Sequence, residues 1–480
     1  TNLTGIGASI APLFYQPDPG DTGVSFPAGI GITFNQQVKA GTGNVTLSIA
    51  NAGVAGTVVE NFGVGSSITI SENRVSFTPA SDLSVGGDYI ITYPSGCFTN
   101  NEGTDYVGTA YTFQARTYEY QLWAWGFGNH GGLGQNNTVW YSSPVQIPGT
   151  NWGSICAGVA AGGSVKTDGT LWMWGQNNLG QLGQNNLTKY SSPVQVPGDW
   201  TGATICQIGN MTKVIKSNGE LWMWGQNSSG VFGTNQSEGS YPAVSSPVQA
   251  AAGTNWAQVG GANENVWGIK TDGTYWGWGQ NEYGEVGDGS KTDRSSPVQI
   301  PGTTWKQAPK NAAQSMGATK TDGTLWTWGR NQYGDLGVGN ETQYVSPVQV
   351  PGTTWDRVSM STGSAFGMAI KTDGTLWTWG YNGEGVLGQN NNPGSTYSPV
   401  QVGSSTDWDA DHATREWGMG TKNCHVFNDD GELWVWGNGT WGQIDNNQAI
   451  EVSAPIQITS DTTWHALSIG AYSTLALKKI

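Results

Sequence analysis

Leu325-Trp326-Thr327-Trp328-Gly329 is one of seven copies of a single phrase, and its recurrence decides how the chain folds. The other copies begin at Leu122, Leu171, Leu221, Tyr275, Leu376 and Leu433, at intervals of about 50 residues. A fixed period of that length marks an array that stacks one supersecondary unit on the next. Asp322-Gly323 stands just ahead of the phrase, and Asp-Gly between two apolar runs is a strong hairpin signal. The same turn recurs at Asp168, Asn218, Asp272, Asp373 and Asp430, each followed by Gly. Behind the phrase lies Asn331-Gln332-Tyr333-Gly334-Asp335-Leu336-Gly337, a connection rather than an element interior. Ser346-Pro347-Val348-Gln349-Val350 follows, and its proline predicts a strand that starts at a sheet edge. A Trp heads the next run (152, 200, 256, 305, 355, 408 and 464). Each repeat therefore reads as four short antiparallel strands, the blade of a propeller.

Alternation along a strand puts both Trp of a phrase on one face and the Leu and middle residue on the other. Of the 25 Trp, 14 lie in the phrases and seven head the inner strands, so these rings are assigned to packing between blades. The first copy lacks a Trp-headed inner pair before Tyr118-Glu119-Tyr120-Gln121. The last ends with such a pair, Trp464 to Ile469 and Thr474 to Lys478. What one end lacks the other supplies, so the circle should close at seven, with the chain's tail completing the sheet begun by residues 118–147.

The pattern Trp-x-x-Val-Ser-x-x-x-Gly, then Ala-Ile-Lys-Thr-Asp-Gly-Thr-Leu-Trp-Thr-Trp-Gly, Asn-x-x-Gly-x-Leu-Gly and Ser-Pro-Val-Gln-Val, resembles the regulator-of-chromosome-condensation repeat family. That resemblance implies a seven-bladed propeller over residues 117–480. The His that family repeats often carry in the second strand is replaced by Ala161, Met211, Asn265, Ser315, Phe366, Asn423 and Ser473. The family's eukaryotic founder exchanges nucleotide on a small GTPase and docks on chromatin. A formal charge of −15 gives no support for carrying either role over.

Residues 1–116 hold no Trp and alternate as short strands, among them Gly31 to Phe34, Val45 to Ile49, Val75 to Phe77 and Tyr89 to Tyr93. The strings Pro17-Asp18-Pro19-Gly20, Lys39-Ala40-Gly41-Thr42-Gly43 and Tyr93-Pro94-Ser95-Gly96-Cys97 resemble the bacterial Ig-like domain of surface-layer type. The implied role is a spacer or docking module. The fold class expected is thus all-β: an Ig-like β-sandwich followed by a seven-bladed β-propeller closed by the C-terminal strands.

Only 11% of residues are charged, without a Lys/Arg run or an apolar stretch of membrane-spanning length, which argues against nucleic acid and membrane insertion. The acidic balance and abundant Asn, Gly, Ser and Thr suit an extracellular, cell-surface or virion-surface setting. Thr1 opens the chain with neither Met nor a signal peptide, so processing or a chosen boundary removed whatever came first. Four Cys are sparse for a disulfide scaffold. Cys156 and Cys206 hold equivalent inner-strand positions and are expected to face the narrow centre, as free thiols or, with Cα atoms within about 7 Å, as a bridge.

Chemistry is scarce. The four His (130, 412, 425 and 465) show no paired spacing for zinc. Asp407-x-Asp409-x-Asp411 opens like a calcium loop but has His412 where the turn glycine belongs. No catalytic residue, metal site or cofactor is assigned. Variable loops are the better guide, because invariant positions build the scaffold. The connections before the Ser-Pro-Val runs carry Trp140, Tyr190, Tyr241, Tyr344 and Tyr397, taken as candidate binding residues for protein or carbohydrate. The alternative for each is that it tucks under its own loop. The function expected is a non-enzymatic display or structural protein, the Ig-like domain attaching and the propeller presenting a face, through a protein partner or self-assembly. A secreted, partner-inhibiting propeller or a glycan-binding lectin is the alternative.

Overall fold

The computed structural model describes residues 12–16, 30–34, 37–51, 54–64, 66–71, 73–77, 79, 88–106, 110–114, 120–235, 243–262, 264–361, 363, 365–390, 394–408, 417–444, 450–458 and 461–480. The chain divides into two compact units, Thr1–Tyr118 and Glu119–Ile480.

In the first unit two four-stranded antiparallel sheets enclose one core. One runs Pro12–Gln16, Ile30–Phe34, Arg74–Phe77, Thr69–Ser71, the other Tyr111–Gln114, Asp88–Thr92, Asn44–Asn51, Val54–Gly63. Inward positions alternate as period two demands, so Ile30, Ile32 and Phe34 meet Val45, Leu47 and Phe113 in a single apolar cluster. Val54–Gly63 lies at the edge of its sheet and keeps Val54, Val58 and Val59 exposed.

The second unit contains seven four-stranded sheets among the described residues. Blade 5 is typical in its outer three strands: Ser315–Lys320, Leu325–Gly329 and Tyr344–Val350, with Trp305–Gln307 innermost. Blade 1 is composite. Its order is Tyr141–Ile147, Tyr120–Gly126, Ser473–Lys479, Trp464–Ile469, so the C-terminal pair completes the sheet that the first phrase begins. Leu122 pairs with Leu477 and Ala124 with Leu475 across that seam.

The phrase works because its two Trp do different jobs. The second is fully buried in every blade, and its indole N–H donates to a main-chain carbonyl of the preceding blade's connection. Trp174 donates to Gly132, Trp224 to Gln181, Trp278 to Val231, Trp328 to Glu285, Trp379 to Asp335 and Trp436 to Val386, at 2.6–3.0 Å. Trp125 donates to the Gln443 carbonyl at 3.0 Å, which carries the same link across the closure. Burying such a ring is worth about 4–6 kcal/mol gross.

The first Trp of the phrase is half-buried and lies beside the strand-heading Trp with a Lys between them. Lys320 sits over Trp305 and Trp326, and Lys371 over Trp355 and Trp377, at 4.0–4.7 Å. Lys166, Lys216, Lys270 and Lys478 repeat the arrangement. Blade 7 departs from it: Trp408 and Trp434 keep their contact, but Asn428 stands in the Lys position and donates to Glu432. The turn below is a relay. Asp322 accepts from the Thr324 amide and hydroxyl, and the Thr324 hydroxyl accepts from Trp326. Those bonds hold the Asp168, Asp272, Asp322 and Asp373 carboxyls below the usual range.

The outer strand lies at the sheet edge, as its proline predicts, but it opens before that proline: Tyr344–Val350 begins three residues earlier, and Pro347 falls where the register slips between Thr327 and Gly329. A bulge spares the neighbour the N–H that proline lacks.

Candidate functional site

Strand directions sort the propeller's loops to two ends. One end carries the Asp-Gly hairpins and the links from each outer strand to the next inner one. The other carries the turns between the two inner strands and the long connections that follow each phrase; here the repeats differ most.

The long connections of blades 2 to 6 are each built round a buried Asn (177, 227, 281, 331 and 382), whose place Gly128 and Gly439 take in blades 1 and 7. Asn331 donates to the carbonyls of Asn340 and Thr342 and accepts from the Leu336 amide, so one side chain fixes both limbs of the loop. Asn177 and Asn281 do the same. The Gly of Asn-x-x-Gly has positive φ and lies against the next blade's outer strand: a Cβ on Gly334 would come within 2.8 Å of the Tyr397 Cα. The varied residues of these loops are thereby held on a fixed frame.

The sequence candidates divide by register. Tyr190 and Tyr344 pair opposite Gly175 and Gly329. They are half-buried, and their hydroxyls accept from Asn186 and Asn340 four residues earlier in the same loop. Trp140 precedes the equivalent residue Tyr141 by one, and Tyr397 follows the equivalent Thr396 by one. A shift of one residue turns a side chain to the opposite face. Trp140 is accordingly 46% exposed and Tyr397 42% exposed. Tyr397's hydroxyl bonds Glu341, which raises its pKa. Tyr241 lies outside the described residues, as do Asp409 and Asp411 of the calcium-like string.

Trp140 does not stand alone. Its ring is 5.1 Å from Phe127 and 5.0 Å from Trp441, and its indole N–H donates to the Asn129 side chain. Phe127 also meets Trp441 at 5.4 Å and Tyr472 at 5.8 Å, so four rings from blades 1 and 7 gather at the closure seam. Aromatic residues continue along the same end. Tyr381 lies 5.3 Å from Tyr333, Lys422 pairs with Glu384 at 2.7 Å, and Arg330 lies over Tyr283. On blades 2 and 3 the corresponding positions are amides and hydroxyls: Gln181, Asn210, Gln226 and Ser228 bond to one another in series. Phe127, Tyr472 and Tyr381 escaped the sequence reading because they come from three different connections that only the closed ring brings together.

Burial shifts three ionisable groups here. Burial pushes the Glu285 carboxyl up to about 7, although it accepts from the Tyr283 amide. Asp335, one blade on, is raised for the same reason and accepts from Ser315. At the closure, burial lowers His425 to about 4; its Nε2 lies 3.0 Å from the Gln443 carbonyl. Among the described residues no group of three or more His, Cys, Asp or Glu is placed to hold a metal ion. The four cysteines are buried and unbridged; Cys156 and Cys206 both line the central channel.

A closed propeller of about 50-residue repeats, with a rigid frame and one varied loop end, is a binding scaffold in its architecture. Residues 168–208, 272–308, 322–370, 373–409 and 430–477 match the regulator of chromosome condensation (RCC1) repeat, and residues 358–386 match a second model of that repeat. Residues 11–117 match a bacterial Ig-like domain. The chain thus carries RCC1 repeats behind a bacterial Ig-like domain. The propeller resembles yeast RCC1 (Prp20), solved bound to Kap60, with a TM-score of 0.64 and 16% identity over 76% of this chain and 90% of that one. Prp20p of Saccharomyces cerevisiae, described with its binding to Gsp1p and histones, gives 0.65 and 16% over 76% and 92%. Human WBSCR16 gives 0.65 and 18% over 75% and 99%. At these identities the likeness is one of fold.

Proposed function

We propose that this chain is a non-enzymatic binding protein of an extracellular or virion surface, in which the Ig-like unit attaches and the propeller presents its varied loop end to a partner or host surface. The observation that supports the reading is the aromatic sector, where Trp140 stands exposed beside Phe127, Trp441 and Tyr472. Clustered aromatic rings with an ion pair and an Arg close by are the composition of interface hot spots. A propeller of the same fold has been solved with a protein bound, which agrees with a protein partner here. The edge strand Val54–Gly63, with three exposed valines, offers the Ig-like unit a pairing edge for attachment.

The test compares the full chain with a Trp140→Ala/Tyr381→Ala double variant for binding to intact bacterial cells and to a glycan array. The expected result is saturable binding to cells that falls at least about tenfold in the variant, since hot-spot truncations cost about 2 kcal/mol or more. Undiminished binding by a folded variant discards the loop end as the presenting face. Signal on the array alone would favour the lectin reading.

A further inference from the structure

The third residue of the second strand is Gly163, Trp267, Gly317, Met368, His425 or Leu475 in six of the blades. In blade 3, whose strands are Thr204–Ile208, Met211–Ile215, Glu220–Gly225 and Val244–Thr254, it is Lys213. That side chain is fully buried, and among the described residues its Nζ has no hydrogen-bond partner. Lysine is almost never buried in this way, because an ammonium taken out of water loses its hydration. Burial pulls the Lys213 pKa below the ordinary lysine range, which favours the neutral, nucleophilic amine.

Sulfur surrounds it. Cys206 lies directly opposite Lys213 on the inner strand, and Met223 directly opposite on the third. Directly opposed residues of an antiparallel pair share a face, with Cβ atoms about 4.5–5.5 Å apart. Cys156 holds the place of Cys206 in blade 2. The Ile205 amide donates to Ser154 Oγ at 3.1 Å, which ties the two inner strands together beside the thiols. A thiolate at Cys206, or more weakly at Cys156, would be felt by the Lys213 amine. Both thiols border a cavity of about 540 Å³ at the centre of the ring, whereas Lys213 does not reach its surface. A small oxidant entering the channel thus meets sulfur first, with an amine behind it.

We propose that Cys206 and Lys213 form a redox-modification site, in which a peroxide oxidises the thiol and the amine captures the product as a sulfur–nitrogen bond. Lys213 Nζ takes the thiol proton, and the thiolate attacks one peroxide oxygen. The O–O bond breaks, sulfur is oxidised to the sulfenic acid, and the departing oxygen takes the proton from Nζ. The neutral amine then attacks that sulfur; the S–N bond forms, the S–O bond breaks, and the hydroxyl leaves as water with a proton from Nζ. With hydrogen peroxide, one thiol, one amine and one peroxide give one sulfenamide and two waters. An external thiol attacking the sulfur returns the amine, and a second releases Cys206 while the reagent leaves as its disulfide. The bond fastens the inner hairpin of blade 3 at the channel wall. It lies apart from the aromatic loop end, so the two readings stand or fall separately.

Peptide mapping by mass spectrometry, after brief exposure of the full chain to hydrogen peroxide, tests it. The chain should lose the mass of two hydrogen atoms, and a cross-linked peptide should join Cys206 to Lys213. Dithiothreitol should undo the link, and Cys156→Ser should keep it. In Lys213→Met the sulfenic acid has no amine to capture it, so dimedone labelling of Cys206 should rise at least about tenfold. Methionine suits that place, since Met368 occupies it in blade 6. Should the variant not fold, the presence or absence of the cross-linked peptide in the unaltered chain decides by itself. A Cys156–Cys206 disulfide in place of the link, equal dimedone labelling of Cys206 with and without Lys213, or no oxidation at Cys206 overturns the proposal.

Discussion

The two ends of the propeller are built from the same repeat and treat it in opposite ways. At the hairpin end, blades 1 to 6 place a Lys between two Trp above an Asp- or Asn-anchored turn or, in blade 1, above the tail pair; only blade 7 breaks the series, with Asn428. At the connection end the buried Asn and the inter-blade Trp bond recur while the residues around them change from aromatic to amide to acid. The lesson is a division of labour. Positions that satisfy buried backbone groups cannot vary without leaving a carbonyl or amide unpaired, whereas positions one residue off that register face water and are free to change.

The largest effect expected in breaking this arrangement comes from the seam. Removing residues 464–480 takes two strands from blade 1 and exposes the edge of Tyr120–Gly126. The truncated chain should aggregate or lose its cooperative thermal transition; a melt like that of the intact chain would refute closure as the source of stability. Next comes Trp328→Ala, which deletes a buried ring and orphans the Glu285 carbonyl. It should cost about 3–5 kcal/mol in denaturant unfolding, and a loss under about 1 kcal/mol would show that the inter-blade bonds are incidental.

Acidity sharpens the comparison at the connection end. Glu285 has a folded pKa of about 7, above that of the unfolded chain, so its protonated form favours the fold. That contribution is full below the ordinary carboxylate range and is lost as pH rises toward 7. Gln181 and Gln443 hold the equivalent place in blades 2 and 7 and accept the same amide bond. Glu285→Gln should therefore stabilise the chain at pH 8 by about 1–3 kcal/mol and much less at pH 5. Equal stability gains at both pH values would remove the carboxyl as the cause. His425 works the other way: its neutral form supports the fold above the usual His range, and that support is lost as pH falls toward 4. The smallest effect is Lys320→Met, which keeps the packing between Trp305 and Trp326 and removes the cation. Thermal unfolding should report a loss of about 1 kcal/mol at the hairpin end. No loss would mean that the Lys is a spacer.

How much of this was legible beforehand varies by position. The spacing of the phrase, the Asp-Gly turns and the incomplete first and last copies point to a ring of seven blades and to the way it closes. The strand Val54–Gly63, by contrast, has no alternating apolar face to announce it, because it lies at an edge with most side chains in water. Among the candidate residues, Tyr190 and Tyr397 look alike in sequence. Their difference is one residue of register against Gly175 and Gly380, which becomes visible only when the outer strand is paired. The Lys of Ala-Ile-Lys-Thr-Asp-Gly reads as a solvated charge until two Trp, from the inner strand and the phrase, are found on either side of it.

Periodicity and turn chemistry are local properties, set by side-chain alternation and by the φ angles that Gly and Asp permit, and for that reason the amino-acid order alone determined the strands, the blades and their number. The aromatic gathering at the seam depends on residues more than three hundred positions apart being brought within a few ångströms. Only closure of the ring does that, because Trp441 belongs to blade 7 and the other three rings to blade 1.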